Sequence, residues 1–247
     1  MISLLFNTIV YNPLYNGLVF LVGFVPTHDV GIAVVLLTIV VRIVLYPLSL
    51  RVIKAQRDMR KIAPEITIIR DQHKGDKTAE TKAIFDLYKE RDIHPFSSFL
   101  LTLVQLPILI ALYWVFSSGG LPLIHIERLY SFVHAPTMVN MNFLGIFNMA
   151  TQHNIPLALL AGVTQFIYTR LSMGPRGIKT ATEASFSDDM AKSMDVQARF
   201  VLPVIIGVFG YSFAAAVPLY YATSNSCMIL LEYLADWHKK DSNKARV

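Results

Sequence analysis

The sequence predicts an all-α integral membrane protein in which five transmembrane helices carry a cytoplasmic antiparallel helical hairpin. Three observations predict it. Of 247 residues, 54% are hydrophobic and 16% charged, whereas a soluble domain carries about 25% charge; the mean hydropathy is +0.48. The apolar residues gather into runs long enough to span a bilayer. The basic residues, Lys+Arg 22 against Asp+Glu 17, sit in a few segments between those runs. On a soluble chain such an excess suggests nucleic acid; on a membrane chain it sets topology. The single Cys227 excludes an internal disulfide and any multi-cysteine metal site.

Residues 1–28 open the chain without a charged side chain up to Thr27. A secretory signal would need a basic start, and Asn7, Asn12, Pro13 and Asn16 interrupt the apolar run. This segment is expected to lie in the outer interface and feed the first span, with a sixth span as the alternative. A five-span core follows over residues 29–238, with spans at about 30–50, 96–116, 155–173, 200–217 and 219–235. The last two come from one apolar run, Phe200 to Ala235, which Pro218 divides. Residues 239–247 form a basic tail.

Charge placement gives the orientation. Eleven basic residues lie between Arg51 and Arg91, five around the loop after span three (Arg170, Arg176, Lys179, Lys192, Arg199) and four in the tail. Five spans put all of these on one side, which the positive-inside rule makes the cytoplasm. The N-terminus is then outside and the C-terminus inside, with Arg128 external and Arg42 within the membrane.

The insert at 51–94 carries two amphipathic stripes. Val52, Ala55, Met59, Ile62, Ile66, Ile69 and His73 follow steps of three and four. Pro64 is expected to kink or divide that helix. Gly75 and Asp76 mark a turn, after which Ala83, Ile84, Leu87 and Tyr88 give the second stripe. A mere connection needs only a few residues, so this hairpin reads as a functional arm.

Arg42 is the sharpest feature. A central arginine costs about 2.5 to 3.5 kcal/mol on insertion scales and usually faces a bundle interior or a wet cavity. Thr38, Arg42 and Tyr46 share one helical stripe. Gln105 in span two and Gln165, beside Thr164, in span three reach similar depths, and span five adds Tyr220, Tyr221, Ser224 and Asn225. Together these residues predict a polar layer lining a wet recess. Glu232, nearer the cytoplasmic end of span five, is either a counter-ion for Arg42 or a carboxylate reaching the cytoplasm.

No enzymatic pattern accompanies the layer. The seven histidines lack HExxH spacing, and there is no GxSxG, Walker A loop or GxGxxG. No catalysis, metal or cofactor is expected. The alternatives are a small transporter or channel subunit with Arg42 as an anion site, and a device that holds polar segments of another polypeptide part-way into the bilayer. Repeated halves, the usual mark of a secondary transporter, are missing.

The stretches VVRIVLYPLSLRVIKAQRDMRKIAPEI (40–66), LVQLPILIALYW (103–114), LLAGVTQFIYTRLS (159–172), FVLPVIIGVF (200–209) and LYYATSN (219–225) resemble the five-span core of the YidC family of membrane protein insertases. The resemblance is to the short form without a large periplasmic domain. It implies a monomeric insertase of the bacterial inner membrane, with a hydrophilic groove open to cytoplasm and lipid. Arg42 matches the groove arginine, Thr38 and Tyr46 its flanking residues, Gln105 the glutamine of span two, and Tyr220 and Tyr221 an aromatic pair on span five. Nascent membrane proteins, the ribosome, the Sec translocon and membrane lipids are the implied partners. Glu232 departs from the family, which commonly has an uncharged amide there.

Overall fold

The computed structural model describes residues 2–73, 75–93, 97–117, 121–173 and 196–244. Most of the basic loop after span three (Arg176, Lys179, Lys192) and the last three residues of the tail lie outside them. The described chain is mainly helical: α1 (Ile2–Phe6), a π-helical turn (Asn7–Tyr11), α2 (Asn12–Phe24), α3 (Val30–Val44), α4 (Tyr46–Gln72), α5 (Lys77–Glu90), α6 (Ser97–Ser117), α7 (Ile155–Met173), a π-helical turn (Gln197–Val201), α8 (Leu202–Ser212) and α9 (Ala216–Lys244).

The helical path runs on through the N-terminal asparagines. Pro13 lies in the first turn of α2, directly after the π-helical turn, where the ladder already changes step. Asn16 is buried and fully used: its amide donates to the carbonyls of Asn12 and Arg128, and its oxygen accepts from the N–H of Tyr130. Among the described residues, Ser3–Phe24 is the one helix that alone is long and apolar enough to cross a membrane.

The apolar run 30–50 is broken. α3 ends at Val44, and α4 leaves it at 67°, because Pro47 in the first turn of α4 cannot continue the N–H ladder. Pro64, by contrast, lies inside α4 without ending it, so the expected division of that helix does not occur. The break between α8 and α9 likewise falls at Phe213, which is extended, and not at Pro218. Pro218 sits in the first turn of α9, the part of a helix that accepts proline most readily.

α2, α3, α6 and the start of α9 enclose the main core. Tyr15, Leu18, Val19, Val22, Val30, Ala33, Val34, Ala111, Ala215 and Ala216 are excluded from solvent there. Segment 121–154 covers this end through Asp29, whose carboxylate accepts from the N–H groups of Gly31 (2.7 Å), Ile32 (3.1 Å) and Leu144 (2.8 Å). A Cβ on Gly31 would lie 2.4 Å from the Phe143 side chain, so only glycine permits this approach. Phe143 begins the turn of a two-stranded hairpin, β1 (Asn142–Phe143) and β2 (Phe147–Asn148).

Beyond the bend, α5 packs on α4 through Ile62, Leu87 and Ile93, with Met59, Ile66, Ile69 and Tyr88 beside them. Gly75 at φ +96° makes the turn and Asp76 caps α5. Arg70 meets Glu80 and Arg91 meets Glu65, pairings that run in opposite directions along the two helices. Burial pushes the Tyr88 hydroxyl above its usual value, against a smaller pull from Arg70. Val52, the first residue of the predicted seam, does something else: with its neighbour Ile53 it packs on Met228 of α9.

Candidate functional site: the arginine of α3

Arg42 lies in the last turn of α3, 7% exposed. Its Nε donates to the Ser224 hydroxyl at 2.9 Å and its Nη2 to the Gln105 carbonyl oxygen at 3.3 Å; Nη2 also contacts Ser224. Gln105 in turn donates from Nε2 to the Tyr220 hydroxyl at 2.7 Å. Residues from α3, α6 and α9 thus meet around one guanidinium. All the acceptors are neutral, so the positive charge is not cancelled by a bonded carboxylate.

Six buried polar atoms on α3, α4 and α9 have no hydrogen-bond partner among the described residues. Arg60 Nε, Arg70 Nε and Glu232 Oε1 belong to ion-paired groups; Arg42 Nη1, Asn225 Nδ2 and the Ser49 hydroxyl do not. Each of the last three can donate. Buried polar groups are ordinarily paired, so each of these donors is free to bond an acceptor the chain does not supply among the described residues.

The other residues singled out from sequence divide. Thr38 is buried, but its hydroxyl donates to the Val34 carbonyl of its own helix at 2.6 Å. Tyr46 is 45% exposed and lies past the bend, so the continuous stripe of Thr38, Arg42 and Tyr46 does not exist as expected. Gln165 is buried on α7, with its amide donated to Thr169 at 3.1 Å and not to Arg42. Tyr221 is half-buried, its ring edge-on to Tyr220 with centroids 6.2 Å apart.

Glu232 is not the counter-ion of Arg42. Its Oε2 accepts from Arg57 Nη2 at 3.1 Å, and its Oε1 lies 3.9 Å from Arg60 Nη2. Both arginines stand on α4, which reaches that depth because the chain turns at Leu45. Ser224, bonded twice to Arg42, is the site residue whose role sequence reasoning missed. It lies one turn after Tyr220 on the same helix face, and that i, i+4 spacing was the available signal.

A family model described as 60Kd inner membrane protein matches residues 21–242. A relative from Clostridium tetani named membrane protein insertase YidC is 30% identical over 200 residues, covering 81% of this chain and 78% of the relative. One of the same name from Methylobacillus flagellatus is 28% identical over 206 residues, 83% of this chain but 32% of the relative; the chain therefore spans about a third of the longer relatives it matches. A solved structure described as an active YidC insertase with its first transmembrane domain resolved superposes with a TM-score of 0.54 at 22% identity, over 90% of this chain and 46% of that one. At that identity the likeness concerns the fold.

Proposed function

This chain belongs to the YidC family of inner membrane proteins, and from that premise we propose that it is a membrane protein insertase whose working site is the recess around Arg42. The observation that carries the reading is a buried guanidinium bonded to neutral acceptors alone, with its Nη1 unspent. Each unsatisfied polar group costs several kcal/mol in the bilayer interior. A recess offering fixed donors and one positive charge lowers that cost for an acceptor-rich or acidic segment in transit. No bond is made or broken; the protein lowers a barrier.

In this reading the core has five spans, with the N-terminus outside and the C-terminus in the cytoplasm. Segment 1–28 feeds the first span from the outer side, and α4 with α5 forms the cytoplasmic arm. That arm, together with the basic residues beside it, receives nascent membrane proteins from the ribosome. The Sec translocon and surrounding lipids are further partners, and one copy of the chain suffices. The faces of α6, α7 and α8 that expose Leu103, Leu106, Leu159, Val163, Val204 and Val208 meet lipid.

The test is site-specific crosslinking to a ribosome-stalled nascent membrane protein. Probes at positions 42, 105 and 221 are expected to form adducts, and a probe at Leu18 in the dry core none. Adducts at none of the three would overturn the reading, and ion conductance of the purified protein in a pure lipid bilayer would favour a channel.

A further inference from the structure

We infer that Arg57, with Arg60, sets the charge preference of the Arg42 recess by holding Glu232 electrically neutralised. This rests on the insertase reading above and assigns to it a residue that touches neither Arg42 nor the recess donors.

Glu232 is 3% exposed and shares a face of α9 with Asn225 and Met228, at i+7 and i+4. It stands eight residues beyond Ser224, about 12 Å along the helix axis. A buried carboxylate at that distance works against Arg42. With an effective dielectric constant of about 20, a unit charge about 12 Å away changes the affinity for a charged group on the order of tenfold. Left alone, Glu232 would repel the acidic segments that Arg42 attracts.

The α4 arginines prevent this. The side chain of Arg57 is 12% exposed and bonds Glu232 at 3.1 Å. It also donates to the carbonyls of Glu232 and Ala235, each at 3.2 Å, which fixes the guanidinium against α9. Arg60 adds a second, more exposed charge at 3.9 Å and is itself held by the Leu171 carbonyl of α7 at 2.8 Å. Among the described residues two guanidinium groups face this one carboxylate, and their backbone bonds tie α4 to α9 and α7.

The experiment compares insertion of two single-span clients into proteoliposomes, identical except that one translocated tail carries two aspartates. The readout is the ratio of acidic to neutral insertion. Arg57→Gln is expected to lower the ratio about tenfold, Arg60→Gln about threefold in the same direction, and Arg57→Gln/Glu232→Gln to restore it to the wild-type value. A merely structural tie would lower both clients together, and an unchanged ratio in Arg57→Gln or no recovery in the double variant overturns the inference. If Arg57→Gln fails to fold, Arg60→Gln and the double variant decide between the same outcomes. Arg42→Ala separates the two claims: an unchanged ratio there sinks the electrostatic reading of the recess itself, whereas a lowered ratio with no effect of Arg57→Gln sinks only the present inference.

Discussion

Two levels of the same bundle obey opposite rules. Around Tyr15, Leu18, Val22 and Val34 the side chains are excluded from solvent, and the buried polar groups placed there are spent. Asn16 makes three hydrogen bonds and Asp29 accepts three. One level further on, Arg42, Asn225 and Ser49 are as buried but each keeps a polar atom without a partner. The same helices, α3 and α9, pass through both levels. The difference teaches that Arg42 keeps spare bonding capacity where Asn16 and Asp29, the buried polar groups of the Leu18 level, use theirs.

The largest expected effect comes from spoiling the saturated level. Asp29→Ala removes the N-cap of α3 and leaves the N–H groups of Gly31, Ile32 and Leu144 without their acceptor. The lost cap, the bonds to Gly31 and Ile32, costs about 1 kcal/mol and the stranded Leu144 donor about 1 to 3, so a loss of roughly 2 to 4 kcal/mol is expected, read as a lower melting temperature of the detergent-solubilised protein. Asp29→Asn, which keeps one acceptor oxygen, should lose less.

Leu18→Ala comes next. In lipid the helices gain little from hydrophobic transfer, since the tails are as apolar as leucine. The cavity share of the usual penalty remains, about 2 kcal/mol for a fully enclosed leucine at about 24 cal/mol per Å³. The ratio of acidic to neutral insertion should stay at its wild-type value. A shifted ratio would mean that the two levels are not separable.

Hydropathy and charge were enough to read the apolar chain, the basic segments and the exceptional Arg42. The cap of α5 at Asp76 and the turn at Gly75 were also legible, because those residues have few other uses. The bend at Leu45 was not: an apolarity window over 30–50 does not register that Pro47 removes an N–H. Of the partners of Arg42, Gln105 was legible by depth. Gln165 and Tyr46 share that depth but not that meeting point, since rise along a helix fixes height and leaves azimuth open. Glu232 stayed open between two readings for the same reason. Its partners lie on α4, which the 67° bend brings to its level, and no count of residues from a membrane surface contains that bend.

The smallest expected effect is the most diagnostic of the two levels. Ser224→Ala removes the hydroxyl that accepts from Arg42 Nε and leaves Gln105 as the remaining bonded acceptor. Were the recess dry like the core around Leu18, an arginine stripped of that bond would cost about 1.5 to 3 kcal/mol, the range for hydrogen bonds to charged groups. In a wet recess water takes the vacated place, and a bridging water is nearly as good as the direct bond. The expected change in stability is therefore below about 0.5 kcal/mol. Insertion of the acidic client should fall by roughly threefold or less, because the charge survives while its orientation loosens. A melting temperature lowered as far as that of Leu18→Ala would place Arg42 in the dry level, and the unspent donors beside it would no longer mark a path for a client.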